Sequence, residues 1–186
     1  MKTLFQAALE LQGFLQGKGW RFCFIGGLAL QRWGEPRLTV DVDVSLLTGF
    51  GGEEGFIRPL LAAYPPRIPD AAGFALENRV LLLRSDDGVG FDVALAGLPF
   101  EEAVVGRSSA FEFLPGVGLV TCSAEDLIVL KAFAARPRDW ADVDGILTRQ
   151  RGKLDKRLVL DCLAPLCEVK GAPEILSRVK DLLDRA

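Results

Sequence analysis

The chain of 186 residues contains no histidine. That absence removes imidazole base catalysis, Ser/His/Asp-type triads and histidine metal ligands, so any chemistry must rest on carboxylates, lysine or cysteine. Cysteine is sparse as well: Cys23, Cys122, Cys162 and Cys167 form no CxxC pair. Three of them sit in apolar stretches, where a free thiol acts as a small hydrophobe. The sequence also lacks an apolar run of about 18 residues and an N-terminal basic, apolar and small-residue cleavage pattern. The expectation is a cytoplasmic protein with no membrane association. With 49% hydrophobic and 25% charged residues the composition is that of a globular chain, and its length suits one domain with a helical appendage.

Charge of one sign is scarce locally rather than globally. The net charge is −3, which argues against a broad nucleic-acid footprint, yet Lys131 to Arg157 holds 8 basic against 4 acidic residues. Such a run is commonly a solvated helix face; it also permits contact with phosphates.

Leu4, Ala8, Leu11 and Leu15 recur at helical spacing, with Gly17 and Gly19 as a stop. Trp20 to Ile25 reads as a buried strand, Gly26-Gly27 as a turn, Leu28 to Trp33 as a short helix, and Val40 to Leu47 as a second strand. A helix is predicted over Glu54 to Ala63, then a loop at Pro65, Pro66 and Pro69. Phe74 to Arg84 and Phe91 to Leu95 read as a hairpin across Asp86-Asp87-Gly88. Ala110 to Leu114 and Gly118 to Thr121 read as short edge strands. From Ser123, a capping-box-like start opens an all-helical region: a helix through Ala135, a second from Pro137 to Arg149, then Lys156 to Val169 and Pro173 to Arg185.

The stretch that carries chemistry is FCFIGGLALQRWGEPRLTVDVDVSL, from Phe22 to Leu46. Side chains two apart in a strand share a face, so Asp41 and Asp43 project together while Val42 and Val44 turn to the core. Adjacent like charges repel unless a cation neutralises them, and hard oxygens at this spacing suit Mg²⁺, which also bridges phosphates. Upstream, Gly26-Gly27 at a strand-to-helix turn lets backbone N–H groups approach a phosphate. The plain alternative places both aspartates on the solvent face of an edge strand.

With these residues in place the sequence resembles the nucleotidyltransferase superfamily related to DNA polymerase beta, whose pattern is a GG or GS turn followed by two acids flanking an apolar residue, D-h-D or D-h-E, on the next strand. The wording GGLAL followed by Arg37-Leu-Thr39-Val-Asp41-Val-Asp43, and the segment EDLIVLKAFAARPRDWADVDGIL, look most like AbiEii-type toxin nucleotidyltransferases. The resemblance implies an α+β nucleotidyltransferase fold, a mixed β-sheet flanked by helices and followed by a C-terminal helical bundle. Residues 1–122 would form the catalytic domain and 123–186 the helical region. It also implies a third carboxylate, Asp92 in GFDVAL, completing a site for one or two Mg²⁺ ions with Asp41 and Asp43. Gly26, Gly27, Arg37, Thr39, Lys131, Asp139 and Asp142 would serve the nucleotide. Lys131 would neutralise phosphate charge, Asp139 or Asp142 would orient it or contact the nucleotide, Arg37 would reach the triphosphate, and Thr39 would position the turn before the strand.

The implied activity is transfer of a nucleoside monophosphate from an NTP to an acceptor hydroxyl, with tRNA-like RNA as acceptor and an antitoxin protein as partner. Two alternatives stand beside it: transfer to a small antibiotic-type molecule, and a catalytically silent binding module. Each helical residue also has a plain reading: Lys131 as an exposed lysine, Arg138 and Asp142 as an i,i+4 surface pair, Asp139 as a first-turn acid. Trp20, Trp33 and Trp140 read as packing residues.

Overall fold

The computed structural model describes residues 4–185. The chain divides into two compact units, one of Met1–Leu28 with Leu38–Cys122 and one of Ala29–Arg37 with Ser123–Ala186.

The first unit opens with α1 (Leu4–Gly17), whose Ala7, Ala8, Leu11 and Leu15 are fully buried, as the helical spacing requires. There follow β1 (Phe22–Phe24), the start of α2 (Gly26–Trp33), β2 (Asp41–Leu47), α3 (Glu54–Ala63), α4 (Ala71–Asn78), β3 (Val80–Arg84), β4 (Gly90–Ala96), α5 (Pro99–Gly106), β5 (Ser109–Leu114) and β6 (Val117–Thr121). The strands form one mixed sheet in the order β3-β4-β2-β1-β6-β5. β2 runs parallel to β4, and β1 parallel to β6; the remaining pairs are antiparallel. Phe24, Val42, Val44, Leu46, Leu81, Leu83, Phe91, Val93 and Leu95 pack with α1 into the core. An aromatic chain extends this core, with Tyr64 edge-on to Phe91 at 5.3 Å and Trp20 against Phe56 at 4.7 Å.

Three details differ from the sequence reading. Residues 74–78 belong to α4 and not to a strand: Asp70 caps that helix by accepting from the Gly73 N–H at 3.2 Å. Arg79 then reverses the chain with φ 55°, so β3 begins only at Val80. α5 was not anticipated, because its apolar stretch is short and opens on Pro99, a first-turn residue that a sequence reader takes for a loop. β6 is not an edge strand; it lies between β1 and β5.

The second unit takes the rest of α2 and then α6 (Ala124–Ala134), α7 (Pro137–Arg149), α8 (Lys156–Lys170) and α9 (Pro173–Arg185). Ser123 caps α6 by accepting from the Asp126 N–H at 3.1 Å, and Ala135 ends it in the left-handed region at φ 56° before Pro137 starts α7. Trp140 is buried beneath the Arg178 guanidinium, 4.0 Å from its ring centre, and Arg32 covers Trp33 at the same distance, so both indoles pack as expected. No helix among the described residues is long and apolar enough to cross a membrane.

α1 is tied to the sheet by one buried amide. Gln12 donates to the Gly118 carbonyl at 2.8 Å and accepts from the Val120 N–H at 2.9 Å, satisfying two backbone groups of β6. Replacing it by alanine strands both. Gln12→Ala is expected to lower unfolding free energy by about 2 kcal/mol in urea titrations, against a change near zero for the exposed Gln16→Ala.

Candidate functional site

The sheet register builds an acidic face. β2 shows alternating burial, Val42 and Val44 inward, Asp41 and Asp43 half-buried on the opposite face. β2 is an interior strand between β4 and β1, which overturns the solvent-edge alternative for the aspartate pair. In the parallel pairing with β4, Asp43 lies directly opposite Asp92 and Asp41 opposite Gly90. Three carboxylates thus share one face on neighbouring strands, about 4.8 Å apart. Burial pushes the Asp92 carboxyl above the usual carboxylate range; the Arg67 guanidinium works against that rise and the Asp41 charge adds to it.

Two glycines make the face possible from the side of α2. Gly26 opens the helix at φ 60°, and a Cβ there would overlap the Asp43 carboxylate. The Gly27 N–H donates to Asp43 Oδ2 at 3.3 Å, so the first turn of α2 is directed at that carboxylate. A Cβ on Gly27 would lie 2.8 Å from that of Thr39, whose hydroxyl donates to the Asp41 carbonyl at 3.3 Å. Helix α2 therefore begins at the glycine pair itself, two residues earlier than the spacing of its apolar residues suggests.

Sequence reasoning missed Arg67. It lies in the proline-rich stretch after α3 and ion-pairs with Asp92 and, at 3.6 Å, with Asp41. Its backbone is fixed to the outer edge of β3: Arg67 N–H to the Leu82 carbonyl at 3.0 Å, Arg84 N–H to the Pro65 carbonyl at 3.0 Å, and a bridge from Pro66 to Leu83. Leu82 is in turn opposite Asp92, so Arg67, Leu82, Asp92 and Asp43 form one row across the sheet. The available signal was the run of Pro65, Pro66 and Pro69, which favours extended backbone around Arg67.

The donor chemistry of this face suits a hard divalent cation: three carboxylates against one guanidinium leave it negative, with oxygen ligands only. Arg67 pairs with both Asp41 and Asp92, and among the described residues no three acidic or cysteine side chains close around a point that could hold an ion.

A separate cluster lies in the helical unit. Lys131 is 8% exposed, not the surface lysine of the plain reading, and pairs with Asp139 at 3.1 Å and Asp142 at 2.8 Å. Arg37 holds Asp142 with both arms of its fork, at 2.8 and 2.9 Å. Asp142 is thereby buried between two cations and is not the surface acid of the plain reading. Burial would raise its carboxyl, but the hydrogen bonds and charges of Arg37 and Lys131 outweigh that and hold it below the usual carboxylate range. The second oxygen of Asp139, Oδ2, is buried without a hydrogen-bond partner.

The family model for the nucleotidyl transferase AbiEii toxin of type IV toxin–antitoxin systems matches residues 11–186. The chain belongs to the AbiEii family. It is a nucleotidyltransferase, and solved nucleotidyltransferase-like structures share its fold. The antibiotic-resistance factor ANT(2'')-Ia superposes with a TM-score of 0.59 at 18% identity, over 91% of this chain and 95% of that one. An antigenic nucleotidyltransferase-like protein from Paracoccidioides brasiliensis gives 0.52 at 16% identity, over 95% and 92%. No curated protein matches the chain.

Two outcomes are expected of this AbiEii chain from the geometry alone. Gly26→Ala forces a side chain into the left-handed region and against Asp43, and is expected to destabilise by about 2 kcal/mol in thermal unfolding. Because the Asp142 carboxyl lies below its unfolded value, its contribution is present above the ordinary aspartate range and is lost as pH falls through the lower folded value. Asp142→Asn, which leaves buried Lys131 and Arg37 short of a counter-charge, is expected to cost about 3 kcal/mol at neutral pH and to flatten that acid dependence in urea titrations from pH 7 to 2.

Proposed function

We propose that this chain is a Mg²⁺-dependent enzyme that moves a nucleoside monophosphate from an NTP to an acceptor hydroxyl of a tRNA-like RNA, acting in the cytoplasm as the toxin of a toxin–antitoxin pair. The observation that carries the reading is the register of β2 on β4, which sets Asp41, Asp43 and Asp92 on one face beside the glycine-opened start of α2. Those three carboxylates would hold one or two divalent ions. A bound ion supplies positive charge to the triphosphate oxygens and eases ionisation of the attacking hydroxyl.

The remaining work falls to the chain itself. Gly26 and Gly27, bare of side chains of their own, let Asp43 and Thr39 pack against the first turn of α2, so that the N–H groups of that turn stand beside the carboxylate face where a phosphate would bind. Thr39 holds the backbone of Asp41, which fixes where that carboxylate begins. A carboxylate of the set accepts the proton of the acceptor hydroxyl. In the helical unit Lys131 has three N–H donors and gives two to Asp139 and Asp142, leaving one for an anionic oxygen. Asp142 and Arg37 orient Lys131, and the unpartnered Oδ2 of Asp139 is an acceptor suited to a nucleotide hydroxyl. The assignment of residues 1–122 as catalytic domain and 123–186 as helical region belongs to the same proposal.

Membership of a toxin family supports a protein antitoxin as partner. The excess of basic residues from Lys131 to Arg157 supports an RNA acceptor on an otherwise acidic chain.

The test is incorporation of label from each of four α-labelled NTPs into total RNA, with and without Mg²⁺, by the wild type and by Asp41→Ala/Asp43→Ala. Label is expected in RNA only with metal, and reduced at least about a thousandfold in the double variant, the scale on which loss of the charge-stabilising groups acts. Label appearing instead on an added hydroxylated antibiotic-type acceptor would replace the RNA reading with the small-molecule one. Absence of any transfer, together with absence of NTP binding by calorimetry, would leave a silent binding module.

A further inference from the structure

Arg67 is a cation that ion-pairs with the carboxylate face and whose backbone is pinned beside it. Proline-flanked backbone pairs with the edge of β3 and sets the arginine at the end of the row that continues through Leu82, Asp92 and Asp43. Its two arms divide between Asp92 and Asp41. Space for that division comes from Gly90: a Cβ there would overlap Asp41 Oδ1 and lie 2.8 Å from Arg67 Nη1. Gly90 opens β4 and stands opposite Asp41 at the first pair of the β2–β4 ladder, and its missing side chain lets guanidinium and carboxylate meet there.

We propose that Arg67 is an internal counter-ion that competes with the divalent cation for Asp41 and Asp92, so that metal enters only when the guanidinium turns off them. The inference rests on the reading of these carboxylates as metal ligands. It accounts for two facts together: the donor set suits a hard cation, yet with Arg67 in place the carboxylates do not close around one. Release of the two carboxylates requires the guanidinium to move. The backbone of Arg67 is fixed by its hydrogen bond to Leu82, and its side chain is 28% exposed. Displacement is therefore a side-chain rotation towards solvent, without opening of the segment. The chain gains a resting face whose charge is partly offset, and a metal affinity set by the difference between two cations rather than by the carboxylates alone.

The experiment is calorimetric titration of the full chain with Mn²⁺, without nucleotide and at fixed ionic strength, for the wild type, Arg67→Gln and Arg67→Lys. Glutamine removes the charge, and the expected result is affinity for Mn²⁺ raised by about tenfold, the scale for loss of a competing, partly exposed charge near 4 Å. Lysine keeps the charge but cannot fork across two carboxylates, so its affinity is expected between the two, and it serves alone if the glutamine variant fails to fold by circular dichroism. Adding Asp92→Asn to Arg67→Gln is expected to abolish the gain. If the wild type and a folded variant bind Mn²⁺ equally, or the variant binds more weakly, Arg67 is not a competitor and this inference fails while the metal reading stands. If neither binds Mn²⁺, the metal reading itself fails and takes the inference with it.

Discussion

Repulsion among Asp41, Asp43 and Asp92 is the constraint around which the first unit is arranged. Two neighbouring parallel strands cannot carry three acids on one face, at the spacing of a β-sheet, unless something positive or strongly dipolar is supplied nearby. The protein supplies it from two directions. The start of α2 offers the Gly27 N–H to Asp43, and the segment pinned to the far edge of β3 offers the Arg67 guanidinium to Asp92 and Asp41. Both devices depend on missing side chains, at Gly26 on one flank and at Gly90 on the other. The opposite face of the same strands is filled by Val42, Val44, Phe91 and Val93, all fully buried, so the acids are held on a rigid, well-packed support and do not ride on a loop.

The helical unit solves the opposite problem. There the charges are balanced, two acids against Lys131 and Arg37, and the cost of burying them is offset by hydrogen bonds to nearly every atom of the cluster. The exception is Asp139 Oδ2, the only buried side-chain oxygen or nitrogen among the described residues without a partner. Acids are therefore used in two ways in one chain: as an undercompensated face that attracts a cation, and as a compensated network that fixes a lysine.

How much of this was legible in the sequence follows from the range of the interactions. Alternation over Asp41 to Val44 is a property of consecutive residues, and the face assignments read from it agree with the burial of β2. The motif wording led to the family and the fold, and Asp92 was singled out by its flanking residues. Arg67 was not legible, because its place depends on pairing with β3 and on the β3–β4 register, and no local pattern in PPRIP encodes either. The burial of Lys131 was likewise hidden: a lysine on a helix reads as exposed until the acids one turn and more along the next helix are seen to close over it. The misplaced strand over residues 74–78 came from apolar, aromatic residues whose helical state is decided by the Asp70 cap and the left-handed Arg79. Such single-residue signals are weak in sequence and strong in structure.

The short stretch from Ala29 to Arg37 has a consequence for how the chain is made. It is synthesised early but belongs with the second unit, where the Gly34 carbonyl takes a hydrogen bond from Arg149, the Trp33 carbonyl from Gln150, and Arg37 grips Asp142. A ribosome has to deliver more than a hundred further residues before those partners exist. The helical unit is thus discontinuous in the sequence: no single cut separates the two parts cleanly, and a fragment ending at Cys122 would leave the Trp33 and Gly34 carbonyls and the Arg37 guanidinium without their partners Gln150, Arg149 and Asp142.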